Sequence, residues 1–390
     1  MTRCLKFIFA AVLCALVLTS CALVRTPTDP PIETTATTES TTQTTDITTE
    51  ATTAESSAPE SSTEVSTDTE EPPEVLPYVN PLTGEGMKTD FSNRRPAAIM
   101  INNIKISCPQ NGVGSADIIY ECLAEGGLTR LMMVSMDYEN LPEVGSIRSS
   151  RDYFLDFAAD YDALYVHAGA SQYAYIAISE RKVQNLDGVN MWFPSTFYQD
   201  PDRKKNMGYE HSTMTTGEGI ASGIKYKRYR TALTEGFDYP LDFVSFDTVL
   251  TYENKAKHIR IPFSGVQTTD FVYDADTGTY LRYQFDGEKH IDGLTNEQLA
   301  FENVLIYFCE TGEITGDPKY RIEVGTIGEG TGYYAANGTY TQITWKKESH
   351  TDPIKFYDAD GEPLLLNVGK TFISVCPTTV EESISFNYEW

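Results

Sequence analysis

The stretch from Thr26 to Glu74 limits what this chain can fold into, because it consists mostly of Thr, Ser, Glu and Pro. It contains twelve acidic residues, no basic residue and no aromatic residue. Such a segment cannot bury enough apolar surface to compensate for the entropy lost on ordering, so it is predicted to be disordered. Repulsion between its charges extends it into a spacer. The folded part must therefore be built from the residues that follow.

The residues before the spacer have the pattern of a bacterial export signal. Arg3 and Lys6 precede a short apolar run over residues 7–18, and Leu18-Thr19-Ser20-Cys21 resembles the lipobox of bacterial lipoproteins. In that class the signal is cleaved before the cysteine, whose thiol receives an acyl chain such as palmitate. A short membrane anchor is the alternative, but the run falls below the ~20 residues that a spanning helix needs.

These features predict a signal peptide over residues 1–20 and a lipidated, disordered tether over residues 21–77. Acylated Cys21 would attach the protein to the cell membrane at its extracytoplasmic face, without any spanning helix. The formal net charge of −26 at pH 7 argues against a nucleic-acid partner, which requires a basic surface.

The remaining cysteines do not form a metal-binding pattern. Cys108, Cys122, Cys309 and Cys376 are widely spaced and contain no CxxC pair. One or two disulfides and four buried thiols are both compatible with this spacing. No spacing supports a metal site built from His167, His211 and a carboxylate, and no cofactor is predicted.

The segment 78–235 reads as a mixture of strands and helices. An apolar run over residues 97–103 predicts a strand. Residues 118–125 fit either a helix or the first arm of a hairpin that turns at Gly126-Gly127, and the short turn with the strand-like residues 128–136 after it favours the hairpin. On this hairpin Glu121, Glu125 and Arg130 are expected on one face. Residues 172–179 predict a short helix, and Thr215 or Thr216 is expected to cap another that runs to about Tyr229.

The stretch Gly145–Ser171 carries the main functional signal of this segment. Ser149 or Ser150 is expected to cap a helix whose apolar face includes Phe154 and Phe157, and a buried strand is expected to end at His167. Arg148 and Arg151 would then flank a helix N-terminus, where free amides favour an anion.

The segment 236–390 is predicted to be mostly β. Short alternating runs are separated by turn signals at residues 276–278, 337–338 and 360–361, and one short helix is expected near residues 295–301.

Several ordered stretches resemble the YerB-like family of bacterial lipoproteins, which has paired N- and C-terminal domains of unknown function. The resemblance implies an α+β fold, with a layered β/β/α N-terminal domain followed by a smaller β-rich C-terminal domain. It does not imply a catalytic mechanism. The matching stretches are Asn80-Pro-Leu-Thr-Gly84, Arg95-Pro-Ala-Ala-Ile-Met-Ile-Asn-Asn103, Ala116-Asp-Ile-Ile-Tyr-Glu121, Glu125-Gly-Gly-Leu-Thr-Arg130, Gly145-Ser-Ile-Arg-Ser-Ser-Arg151, Tyr161-Asp-Ala-Leu-Tyr-Val-His-Ala-Gly169 and Gly338 to Lys347.

Candidate site residues follow from side-chain chemistry. Two guanidiniums at Arg148 and Arg151 can bind a phosphate, sulfate or carboxylate through bidentate bonds, with Arg130, Ser149 and Ser150 as further ligand-binding candidates. The alternative is that the arginines pair internally with acidic side chains, for which the candidates are Glu121, Glu125 and Asp156. If the site is catalytic, the candidate residues are His167, Glu121, Asp187 and His211.

Three functions are left open by the sequence. The first is a binding or adaptor domain for an anionic cell-envelope component. The second is an envelope-acting hydrolase or transferase that uses the Arg148, Arg151 and His167 group. The third is a structural module that binds a protein partner.

Overall fold

The fold is built from twenty-five strands and four α-helices within residues 76–190 and 195–390, which are the residues that the computed structural model describes. Cys21, the predicted signal peptide and nearly all of the predicted tether lie outside these residues. The described residues 76–190 and 195–390 belong to one compact unit.

The strands of the first half alternate with the helices. In chain order they are β1 Tyr78–Val79, β2 Gly86–Met87, β3 Ala97–Ile101, β4 Ile118–Leu123, β5 Thr129–Ser135, β6 Val144–Gly145, α1 Asp152–Ala159, β7 Leu164–His167, α2 Gln172–Glu180, β8 Asn185–Asp187, β9 Phe197–Gln199, α3 Pro201–Asn206, β10 Thr213–Thr215 and α4 Gly217–Lys227.

The second half contains strands and no α-helix among its described residues. Its elements are β11 Asp242–Phe243, β12 Asn254–Lys255, β13 His258–Pro262, β14 Thr268–Asp274, β15 Thr279–Gln284, β16 Glu288–Lys289, β17 Ala300–Phe301, β18 Asn303–Cys309, β19 Thr311–Glu313, β20 Ile322–Val324, β21 Gly328–Ala336, β22 Thr339–Lys347, β23 Lys355–Tyr357, β24 Leu365–Leu366 and β25 Thr371–Pro377.

A central eleven-stranded sheet takes strands from both halves. Its order is β12-β22-β21-β18-β25-β4-β5-β3-β7-β8, with β23 added beside β22. The two halves join where β25 pairs in parallel with β4, so that Ile373 lies opposite Tyr120. The predicted segments 78–235 and 236–390 thus share one sheet, and the boundary between them stays a prediction.

Alternating side chains of the central sheet build a core on each of its faces. On one face Tyr120 and Tyr165 pack with Phe154 and Phe157 of α1, and Tyr120 stacks on Phe157 at a ring separation of 5.1 Å. On the other face, Ile99 and neighbouring residues pack against a five-stranded sheet formed by β13 to β17. The layers confirm the α+β class with a β-rich C-terminal part.

Two turns and one helix cap occur where the sequence predicted them. The hairpin at Gly126-Gly127 joins β4 to β5, and Asn337-Gly338 joins β21 to β22. The predicted cap at Thr216 is present, since its hydroxyl accepts the Gly219 amide at the start of α4. Helix α2 has a cap that was not predicted, in which the Ser171 hydroxyl accepts the Ala174 amide.

Three local predictions were wrong. The predicted cap of α1 by Ser149 or Ser150 is absent, because the helix begins only after Arg151, which makes no side-chain cap bond. The buried Ser150 hydroxyl instead accepts the hydroxyl of Tyr165 at 2.8 Å. The expected helix near residues 295–301 is extended, since Gln298 bridges to Ile291 and β17 follows. Glu121 does not share a face with Arg130, because Arg130 lies opposite Cys122 in the register of the hairpin.

Candidate functional site

The candidate site lies where the parallel strands β3 and β7 end. The chain from Gly145 to Arg151 crosses this edge: the Arg148 amide donates to the Met100 carbonyl at 3.0 Å, and the Arg148 carbonyl accepts the Ala168 amide at 3.1 Å. The Ser150 amide then bonds to the Gly169 carbonyl. Backbone bonds on both sides therefore fix the direction of the intervening side chains. The crevice beyond the carboxyl ends of parallel strands is where open α/β sheets commonly bind ligands.

Arg130, Arg148 and Arg151 converge at this edge and form what we call the arginine cluster. Arg151 donates two hydrogen bonds to the Glu125 carboxylate, from Nε to Oε1 at 2.5 Å and from Nη2 to Oε2 at 2.6 Å. Arg130 donates to the Ser149 carbonyl, which links it to the crossing segment. This part of the cluster is consistent with the internal pairing that the sequence left open.

Arg148 differs from the other two arginines in the exposure of its partner. Its guanidinium donates to the Glu210 carboxylate at 2.9 Å and to the Glu210 carbonyl at 3.0 Å. The Glu210 side chain is 64% exposed, whereas that of Glu125 is 21% exposed. Water competes for the Glu210 carboxylate, so an incoming anion can replace this contact more readily than the one between Arg151 and Glu125.

The charges of the cluster are incompletely balanced, because three guanidiniums face two carboxylates. Burial, together with the charges of Arg151 and Arg148, lowers the pKa of Arg130 to about 9. Hydrogen bonds from Arg148 lower the pKa of Glu210, and the bond and charge of Arg151 outweigh burial to lower the pKa of Glu125. Both carboxylates are therefore ionised at neutral pH, and a positive charge remains in excess.

His211 belongs to the edge of this cluster. The Asn102 amide lies 2.9 Å from its Nδ1, and its Nε2 lies 3.5 Å from Glu210 Oε1. Burial and the charge of Arg148 lower the pKa of His211, which favours the neutral ring. A neutral His211 leaves the positive charge of the site with the arginines.

The other catalytic candidates are not in the cluster. His167 is fully buried, with Nδ1 2.8 Å from the Gly169 carbonyl and Nε2 3.1 Å from Asn185 Oδ1. The Asp187 carboxylate accepts the amides of Gly169 and Val189, the hydroxyl of Tyr175 and the side-chain amide of Asn190, with oxygen–donor distances of 2.7–3.0 Å. Both residues hold the loop after β7, and their side chains are 0% and 8% exposed.

Glu121 belongs to a buried network that the sequence did not reveal. Its carboxylate pairs with Arg282 Nη2 at 2.8 Å, and both side chains are 0% exposed. Thr129 and Thr269 also donate to this carboxylate, at 2.6 and 2.8 Å. The one available signal was that Arg282 occupies an inward position of the alternating strand β15.

This network reaches the arginine cluster through a chain of hydrogen bonds. Arg282 contacts His290 Nδ1, and His290 Nε2 lies 2.9 Å from Gln110 Oε1. Gln110 donates to the Asn102 carbonyl at 2.9 Å, and Asn102 in turn contacts His211. Polar groups thus connect the two halves of the fold to the site.

The thiols of Cys108, Cys122, Cys309 and Cys376 are all free. Within residues 76–190 and 195–390, no group of three or more His, Cys, Asp or Glu side chains is arranged to hold a metal ion. In the same residues no helix is long and apolar enough to cross a membrane.

Comparison with known proteins gives a consistent set of similarities. Residues 82–230 match the model of the N-terminal domain of a protein of unknown function (DUF3048), and residues 259–373 match that of its C-terminal domain. The chain is 28% identical over 310 residues to "Putative lipoprotein YerB" of Bacillus subtilis (strain 168), covering 78% of this chain and 88% of that one. The crystal structure of the YerB protein from Bacillus subtilis superposes with a TM-score of 0.69 at 25% identity, covering 80% of this chain and 100% of that chain.

Proposed function

The chain belongs to the YerB-like family, whose N- and C-terminal domains have no assigned function, and from that premise we propose that it is a membrane-tethered binding protein for an anionic component of the cell envelope. Acylated Cys21 would hold it at the extracytoplasmic face, and the segment up to residue 77 would give the folded part its reach. A wall polymer that carries phosphate or carboxylate groups is the ligand class. The Bacillus subtilis relative carries the word "lipoprotein" in its name, which supports the proposed lipid anchor at Cys21.

The observation that carries this proposal is the excess positive charge of the arginine cluster beside an exposed Glu210. A phosphate or carboxylate of the ligand would take the place of the Glu210 carboxylate on Arg148 and receive two parallel N–H bonds. Arg130 would add its charge from behind, while Arg151 stays bound to Glu125 and keeps the crossing segment in place.

Binding is favoured over catalysis because three of the four residues proposed for proton transfer, His167, Asp187 and Glu121, lie elsewhere. His167 and Asp187 have their polar atoms engaged inside the loop after β7, and Glu121 is enclosed with Arg282. A hydrolase or transferase needs an acid or base within hydrogen-bond reach of the bound substrate. The fourth candidate, His211, lies at the edge of the arginine cluster, but the nitrogen of its neutral ring that could accept a proton already accepts the Asn102 amide at 2.9 Å, and its Nε2 faces Glu210.

The test is co-sedimentation of the chain from residue 22 onward, which retains every residue the structure describes, with isolated cell-wall material. We expect retention that falls as salt is raised, because charge contacts at the surface are screened. Removal of the anionic polymers from the wall is expected to abolish retention. Arg148→Gln is expected to weaken it about tenfold or more, since a hydrogen bond to a charged group contributes about 1.5–3 kcal/mol.

The matched control is Lys227→Gln, which removes one exposed positive charge from the last turn of α4. It is expected to sediment as the unmodified chain does. Equal retention of the Arg148→Gln and Lys227→Gln proteins, with unchanged circular dichroism for both, would show that the arginine cluster does not bind the wall.

A further inference from the structure

A basic hollow lies beside the C-terminal half of helix α1, and no arginine of the arginine cluster lines it. It has a volume of about 430 Å³, and Leu155, Ala158 and Ala163 contribute to its apolar floor. Four basic side chains and one carboxylate line it: Arg95, Arg181, Lys182 and Arg230, with Asp162. The lining therefore carries a formal charge of +3 in a chain whose total charge is −26.

Three of the four cations of the basic hollow retain donors for a ligand, whereas Arg95 is 5% exposed and all three of its guanidinium nitrogens already donate within the fold. Arg230 holds Asp162 with bonds of 2.7 and 2.8 Å and is still 40% exposed. Arg181 is bound at 2.5 Å to Asp156, which lies behind it and reduces the local excess to +2. Lys182 is exposed. An anionic group in this hollow would therefore meet prepositioned guanidiniums above an apolar surface.

A larger acidic hollow adjoins the basic one. Its volume is about 700 Å³, and it shares Thr234, Phe237 and Thr351 with the basic hollow, so the two form one groove. Its aromatic lining includes Tyr239 and Tyr357. Five acids and two bases give this end of the groove a formal charge of −3: Glu235, Asp238, Asp242, Glu348 and Asp352, with Lys346 and Lys355.

We propose that this groove binds a short extended peptide, with its terminal carboxylate in the basic hollow and its amino group in the acidic hollow. A ligand with opposite charges at its two ends matches both hollows, whereas a ligand of one charge is repelled by one of them. The apolar floor and the tyrosines give contact surface for small side chains between the ends. Arg130, Arg148 and Arg151 do not line the groove, so the inference is independent of the proposed wall binding.

The probe is tetra-alanine, added to the chain from residue 22 onward and followed by saturation-transfer NMR, which detects weak binding. Four forms are compared: free at both ends, acetylated, amidated, and blocked at both ends. We expect the free peptide to bind and each block to weaken binding about tenfold or more, because each removes a charge-assisted contact.

Three variants assign the ends, and a fourth serves as a control. Arg230→Gln is expected to weaken binding of the free peptide and to reduce the difference in binding between the free and amidated forms. Lys182→Gln, at an exposed position, is expected to have the same effect. Asp238→Asn is expected to reduce the difference in binding between the free and acetylated forms. Arg148→Gln is expected to bind the peptide as the unmodified chain does, so loss of wall binding and loss of peptide binding are separable. Failure of tetra-alanine to bind at 10 mM or above, or equal binding of all four forms, would overturn the inference.

Discussion

Substitution of Arg282 by methionine will test the buried network that joins the two halves of the fold. Methionine has a similar length but no charge, so the Glu121 carboxylate would be left buried without its cation, 2.8 Å from where Arg282 Nη2 had been. Removing one partner of a buried pair costs about 3–5 kcal/mol, because the remaining charge is not solvated. The bonds from Thr129, Thr269 and Asn103 to the carboxylate would remain and limit the loss to this range.

The magnitude can be converted to a melting temperature. For a folded unit of roughly 300 residues the entropy of unfolding is about 0.6 kcal/mol/K, so a loss of 3–5 kcal/mol lowers Tm by about 5–8 °C. Urea unfolding followed by tryptophan fluorescence gives the free energy, and calorimetry gives Tm.

Two companion proteins make the experiment decisive. Lys105→Met breaks an ion pair with Glu288 in which both side chains are more than half exposed, and it is expected to cost less than about 1 kcal/mol. The double change of Arg282→Met with Glu121→Gln removes both charges and is expected to recover much of the loss. A loss below about 1 kcal/mol for Arg282→Met, or a double variant no more stable than the single one, would refute the description of this network.

Three further predictions concern pH, thiols and the tether. Burial raises the pKa of Asp117 from 3.8 to about 6, so the unfolded chain loses this proton at a lower pH than the folded chain, and the contribution of Asp117 to stability falls as pH rises from about 4 to about 6. In urea titrations this fall in stability is expected to be smaller for Asp117→Asn. A variant with the same pH profile as the unmodified chain would contradict the prediction. Burial raises the pKa of the Cys108 thiol to about 11 and that of the Cys122 thiol well above its usual value. A thiol reagent at pH 7.5 is therefore expected to label the native chain from residue 22 onward far more slowly than the same chain unfolded. Comparable labelling rates in the two states would contradict that burial. Deletion of residues 26–74 is expected to leave Tm unchanged, because that segment has little apolar surface to pack, and a fall of several degrees would show that it contacts the folded part.

The arginine cluster shows how far sequence reasoning reaches at a site. The sequence pointed to Arg148, Arg151 and Arg130 together, and the structure brings them to one edge of the sheet. It also proposed Glu125 as an internal partner, which is the residue that Arg151 binds. Glu210 was not among the predicted partners of the arginines, because the loop that carries it returns to Arg148 from 62 residues away.

Short-range chemistry was determined by the sequence itself. The turns at Gly126-Gly127 and Asn337-Gly338, and the caps at Ser171 and Thr216, depend on residues within about four positions of one another. Groups so close in the chain meet in any fold that contains the element, so their bonds can be predicted from local identity alone.

Only the tertiary structure decided which distant groups meet. The pairing of β25 with β4 brings together strands about 250 residues apart, and Arg282 reaches Glu121 across 161 residues. The register of the hairpin, rather than the identity of the acid, turned Glu121 away from Arg130 and toward that partner. Such choices depend on the free energy of packing the whole chain, to which every layer contributes, and no single stretch of sequence contains that sum.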